Sequence, residues 1–76
     1  MRTYENAGEV IRIEMVRCGY TLETLSQRTD IAQHVLRGIL TGRANTVSTR
    51  NTYALASAFG YPMAEFIDLL SGVKNP

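Results

Sequence analysis

Gly19–Gly42 reads GYTLETLSQRTDIAQHVLRGILTG, and it holds two short apolar periodicities separated by a tight turn. Thr21 can accept a hydrogen bond from the backbone N–H groups of the turn that follows, which opens a helix. That helix buries Leu22 and Leu25, leaves Glu23, Gln27 and Arg28 in water, and runs to about Thr29. The second pattern begins at Asp30 or Ile31 and sets Ile31, Val35, Leu36, Ile39 and Leu40 along one side of a helix. Gly42 follows, where a glycine ends a helix without steric penalty. Two helices joined this closely must cross steeply.

The other side of the 31–40 helix presents Gln33, His34, Arg37, Gly38 and Thr41, with Arg43 immediately after. Base edges in the major groove offer paired donors and acceptors. A Gln amide can bridge adenine, an Arg guanidinium can bridge guanine, and an imidazole can bond either purine. The pattern is therefore that of a helix-turn-helix, which lays its second helix in the groove. On chemistry alone the same side chains also fit an ordinary solvated face, since polar outer faces are the rule for globular helices.

Several spaced motifs add to this. Gly19-Tyr20-Thr21 followed by Leu25-Ser26 is similar to G-[ile/leu]-[ser/thr/asn]-x-x-x-L-[ala/ser], Gly42 stands after the second helix, and Leu55-Ala56-Ser57-Ala58-Phe59-Gly60 is similar to L-A-x-A-L-G. Each is weak alone, but in this order and spacing, from about Asn6 to Leu70, they resemble the phage-repressor and Cro type of helix-turn-helix domain. This is the lambda-repressor-like, or XRE, family. The resemblance implies an all-α fold of five helices with the helix-turn-helix at helices two and three. It also implies that Gln33 and His34, with Arg37 and Gly38 one turn later, are the base-reading positions.

Three positions depart from the family pattern. Ala32 stands where relatives carry a Ser or Thr cap and cannot itself cap, so Asp30 is expected to take that duty. Gly38 stands where many relatives place a contacting side chain, and a mid-helix Gly costs up to about 1 kcal/mol relative to Ala. It either lets the backbone approach DNA closely or forfeits a contact. Met15 and Leu40 replace an Arg and a Glu that many relatives link, and substituting a buried ion pair by packed apolar groups is often neutral or stabilising. Met15 and Leu40 are expected to touch.

The remaining chain reads as support. Asn6 and Glu9 have the spacing of a capping box at the start of a first helix that runs to about Cys18, with Ile11, Met15 and Cys18 on one face. The segment RANTVST, residues 43–49, is polar and reads as irregular, and Ser48 or Thr49 can cap a fourth helix through Phe59. Gly60 ends that helix, and Pro62 suits the first turn of a fifth, which carries Met63, Phe66, Ile67 and Leu70 and stops near Gly72.

With 76 residues, 45% of them hydrophobic, the chain can bury one modest core, so residues 1–76 are expected to form a single domain with its core at about 6–71. A separate ligand-sensing or self-cleaving domain is not expected at this length. The single Cys18 has no internal disulfide partner and is expected to sit in the helix-one core, in a reducing compartment. No metal-ligand spacing, His–carboxylate pair, activated nucleophile or phosphate-binding glycine loop is present, so no cofactor, metal or enzymatic activity is expected. The roughly 20 consecutive apolar residues of a membrane span are also missing, and MRTYENAGEV lacks an apolar signal core, so a cytoplasmic location is expected.

Net charge is only +1, yet it is segregated. Glu5, Glu9 and Glu14 come early, Glu65 and Asp68 late, and Arg37, Arg43 and Arg50 between them, so a local basic surface can form. Thr21, Thr41, Arg43, Asn45 and Arg50 are the expected phosphate contacts. Double-stranded DNA is the expected partner, bound by a homodimer because one short helix reads few base pairs.

For the dimer surface, Ile13 and Val16 point away from the Ile11 face, and Leu69 lies beside the inward stripe of the last helix. Each set is either a pairing surface or scattered exposed apolar residues, which are ordinary. The resemblance favours the last helix, with Phe66, Leu69 and Leu70. The leading expectation is a sequence-specific repressor of phage or mobile-element type. The alternative is a protein-interaction module or antitoxin that binds a partner protein and autoregulates its operon.

Overall fold

The computed structural model describes residues 2–4, 6–44 and 46–72. Five helices make up the body: α1 (Ala7–Cys18), α2 (Leu22–Thr29), α3 (Gln33–Leu40), α4 (Thr49–Phe59) and α5 (Met63–Ser71). Two short strands, β1 (Arg2–Thr3) and β2 (Thr46–Val47), pair antiparallel with Arg2 opposite Val47 and Thr3 opposite Thr46. The five-helix, all-α architecture is the expected one. The strand pairing is not: the segment read as irregular between α3 and α4 is tied to the chain start, with Val47 and the neighbouring Tyr4 both in the core.

Local capping sets several boundaries. The Thr21 hydroxyl accepts from the Thr24 N–H at 3.1 Å, and the Thr24 hydroxyl accepts from the Thr21 N–H at 2.8 Å, so α2 opens on a reciprocal pair. Ser48 caps α4 by accepting from the Asn51 N–H at 3.1 Å. Asn6 stands at the N-cap of α1 but makes no side-chain cap bond, so the expected Asn6–Glu9 box does not form. Pro62 is the N-cap of α5 rather than a residue of its first turn.

The turn between α2 and α3 also differs from expectation. Asp30 does not cap α3; it closes α2 in the left-handed region, with φ 60° and its N–H on the Ser26 carbonyl. Asp is among the few residues other than glycine that visit this region routinely. The chain then runs through Ile31 and Ala32, and α3 begins at Gln33, two or three residues later than the periodicity placed it. Ile31 is buried by the turn, not by helical periodicity. Ser26 donates to the Ile31 carbonyl at 2.6 Å, and the buried Thr29 hydroxyl donates to the Leu25 carbonyl at 2.7 Å while accepting from the Ile31 N–H at 3.3 Å. These bonds satisfy a turn whose backbone groups would otherwise be buried without partners.

Ile11, Leu25, Leu36, Leu55, Phe66 and Leu70 are fully buried where the helices meet. Met15 and Leu40 both pack at the edge of that core, and Cys18 is half-buried there as a free thiol. Phe66 and Leu70 therefore have no surface to offer a partner, which corrects their expected place in a dimer interface: the apolar stripe of α5 is consumed within the protomer. The Phe66 ring lies 5.9 Å from both the Phe59 and the Tyr61 ring centroids.

Glu14, one of the early acids in the sequence, is 7% exposed. Its carboxylate accepts from Arg17 Nε, and its Oε2 accepts from the Tyr61 hydroxyl at 2.9 Å. Arg17 also donates to the Phe59 carbonyl at 2.7 Å and lies over the Tyr61 ring, tying α1 to the α4–α5 turn. Burial and the bond to Glu14 push the Tyr61 phenol up, and the same carboxylate raises Arg17. Raised values mean the protonated forms favour the folded state. The network therefore contributes its full share at neutral pH and loses it as pH climbs through the folded-state phenol value.

Two glycines lie within helices. A Cβ on Gly8 would stand 2.6 Å from the Ile39 carbonyl oxygen and 3.1 Å from that of Leu40, so the first turn of α1 rests directly on the C-terminal backbone of α3. Gly38 is different. A Cβ there would meet the Ala44 Cβ at 3.7 Å, an ordinary contact. Gly38→Ala should therefore stabilise the domain by about 0.5–1 kcal/mol through reduced backbone entropy. Thermal melts followed by circular dichroism should show the midpoint rising by several degrees.

Candidate nucleic-acid interface

α3 divides cleanly. Leu36 and Ile39 face the core with Val35 and Leu40 at its margin, while Gln33, His34 and Arg37 are exposed and follow one another along the outer arc. Thr41, one turn beyond Arg37, is also exposed, and its hydroxyl donates to the Gly38 carbonyl at 3.3 Å. Three of the four expected base-reading positions thus share one accessible face. Gly38 lies beside it, half-buried against Ala44, whose N–H bonds the Gly38 carbonyl at 2.9 Å.

The expected phosphate-contacting residues separate into groups. Arg43 and Arg50 are exposed on either side of β2. Thr21 is exposed at the start of α2, but its hydroxyl is engaged in the Thr24 pair. Asn45 lies outside the described residues. From Ile31 to Ala64 the sequence carries Arg37, Arg43 and Arg50 and no Asp or Glu. The side chains flanking the outer arc of α3 thus make a positive field despite the near-neutral whole.

Sequence reasoning missed Arg12. It is exposed on α1 and donates to the Leu40 carbonyl at 3.1 Å, placing a guanidinium on the carbonyl end of α3, where a cation is favourable. Its partner lies 28 residues on, and nothing in the local pattern marks it. Together with Gly8, Arg12 sets where α3 ends against α1.

Among the described residues no cluster of His, Cys, Asp and Glu has the arrangement of a metal site, and no helix is long and apolar enough to cross a membrane. α3, which packs on α2, carries no Asp or Glu on its polar outer face. The sequence pattern of the Cro/C1-type HTH DNA-binding domain matches residues 10–70.

The chain belongs to that family.

As a Cro/C1-type domain it binds double-stranded DNA and acts in transcriptional regulation. The matched span runs from the second turn of α1 to the last turn of α5, so it includes α2, α3 and the helices that hold them. Searches of curated proteins and of solved structures returned no match.

Proposed function

We propose that the protein is a cytoplasmic, sequence-specific repressor of phage or mobile-element type. It binds a palindromic operator as a homodimer, with α3 of each protomer in successive major grooves. Half-site centres then lie about 10 base pairs apart, one helical turn. The observation that carries this reading is the outer arc of α3, where Gln33, His34 and Arg37 stand exposed together with base-reading chemistry on a helix that contains no acid. Gln33, His34 and Arg37 read bases, with the Gly38 backbone closing the arc. Thr21, Thr41, Arg43, Asn45 and Arg50 hold phosphates and set register. Occupancy of a promoter represses by excluding polymerase.

Selection from a randomised duplex pool at two salt concentrations tests this directly. A palindrome should be enriched, and affinity should fall as salt rises because phosphate contacts release counterions. Gln33→Ala should cost about 1–3 kcal/mol at particular bases and relax preference there. Arg43→Ala should weaken all sequences alike and lower the salt slope by about one unit. Unchanged sequence preference in Gln33→Ala would remove α3's outer arc as the reading surface.

A further inference from the structure

α1 carries an apolar surface that the protomer does not use. Ile13 is 57% exposed and Val16 is 79% exposed, one turn apart on the side of α1 away from Ile11. On α5, by contrast, Phe66 and Leu70 are buried and Leu69 is only 37% exposed. Tyr53 on α4 is also exposed, as a single aromatic, so among the described residues the exposed aliphatic surface lies mainly on α1.

The charges around Ile13 specify what fits. Glu9 lies four residues before it, in the first turn of α1, and Arg17 four residues after, in the last turn. Residues four apart lie on one face of a helix. Glu9, Ile13 and Arg17 therefore form a stripe with acid at one end, base at the other and an aliphatic group at the centre. Arg17 keeps its bonds to Glu14 and Phe59 while about half of its side chain (51%) stays exposed.

We propose that this stripe is the self-association surface. Two copies pack α1 against α1, antiparallel, about a two-fold axis at Ile13. Ile13 then meets its twin, Val16 flanks it on both sides, and Glu9 of each protomer faces the partner's Arg17. A parallel pairing would set acid against acid and base against base, so the stripe complements itself in one orientation only, as a two-fold interface requires.

α1 has 12 residues and is therefore about 18 Å long, and one helix pair of that length buries less than the ~800 Å² per partner typical of a stable complex. The dimer is accordingly weak in solution. It strengthens on DNA carrying two half-sites, which raises the effective concentration of one protomer near the other. This rests on the homodimer reading above and assigns its surface.

Sedimentation equilibrium of the full chain, up to about 1 mM, tests the proposal. The wild type should show a monomer–dimer equilibrium. Ile13→Glu should weaken association at least tenfold, and Leu69→Glu should leave it unchanged; both sites are exposed, and circular dichroism verifies folding. Ile13→Cys in a Cys18→Ser background should cross-link to a dimer under mild oxidation, because the axis brings the two Cys side chains together. On a duplex with a single half-site Ile13→Glu should bind as well as the wild type, and it should lose only the cooperative gain on two half-sites.

A wild type that dimerises but is disrupted by Leu69→Glu and not by Ile13→Glu overturns the α1 surface while leaving the homodimer reading intact. A wild type that stays monomeric in solution and binds two half-sites independently overturns both. Failure to bind any duplex would refute the operator reading without touching the sedimentation result.

Discussion

Phe66→Ala lowers stability by about 3–5 kcal/mol, the cost of emptying a fully buried aromatic site. Small domains hold a total of about 5–15 kcal/mol and this one sits at the small end of the size range, so the variant is expected to be substantially unfolded at 37 °C. The ring is 0% exposed and packs between Phe59 at the end of α4 and Tyr61 in the following turn. That turn is fastened to α1 through Glu14 and Arg17. Little room exists for collapse around the void, because aromatic neighbours and a hydrogen-bonded turn surround it. Urea titration followed by circular dichroism measures the effect. A loss below about 1 kcal/mol would mean that Phe66 is not the packed centre of the α4–α5 contact.

Gly8→Ala should destabilise the domain by about 1–3 kcal/mol, against the direction that helix propensity predicts. Propensity alone favours Ala in a helix by about 1 kcal/mol. The methyl group would lie 2.6 Å from the Ile39 carbonyl oxygen, and that neighbour is backbone, which cannot rotate away as a side chain can. Either α1 shifts outward or α3 gives way, and the Arg12 bond to Leu40 is strained in both cases. Gly38→Ala is the control: the same chemical change within a helix, with an ordinary 3.7 Å contact and the opposite expected sign. Paired urea titrations compare them. If both variants gained stability, the close approach of α1 to α3 would be wrong.

Gly8→Ala also bears on DNA. Below its melting temperature the variant should bind an operator more weakly than the wild type, because a displaced α3 no longer presents Gln33 and Arg37 in one geometry. A misplacement of about 1 Å is enough to spoil paired hydrogen bonds to base edges. A salt slope equal to that of the wild type, with reduced preference among sequences, would locate the defect in readout and leave the phosphate contacts intact.

Much of the helical frame was legible because its signals act over three or four residues. Thr21, Ser48, Gly60 and the apolar spacings of α2, α3 and α5 each concern groups that meet within one or two turns. The start of α3 was misplaced because Ile31 and Asp30 satisfied a helical spacing while the chain used them to turn. Asn6 and Glu9 carried a capping pattern that α1 does not use. A pattern states which bonds are available, and competition with the surrounding structure decides which form.

Residue identity and spacing, with the family resemblance they carry, determined the all-α class, the order of the helices, the helix-turn-helix and the polar outer arc with Gln33, His34 and Arg37. Tertiary structure decided what depends on distant partners. Glu14 is buried because Tyr61, 47 residues away, donates to it. Gly8 must be glycine because Ile39 lies above it. Val47 is buried in a strand that pairs with Arg2–Thr3, far back in the sequence. Phe66 and Leu70 belong to the core rather than to a partner, since α4 and the aromatic turn close over them. Periodicity identifies which face of a helix is apolar; only the assembled chain shows whether that face meets its own core or is left exposed, as at Ile13 and Val16.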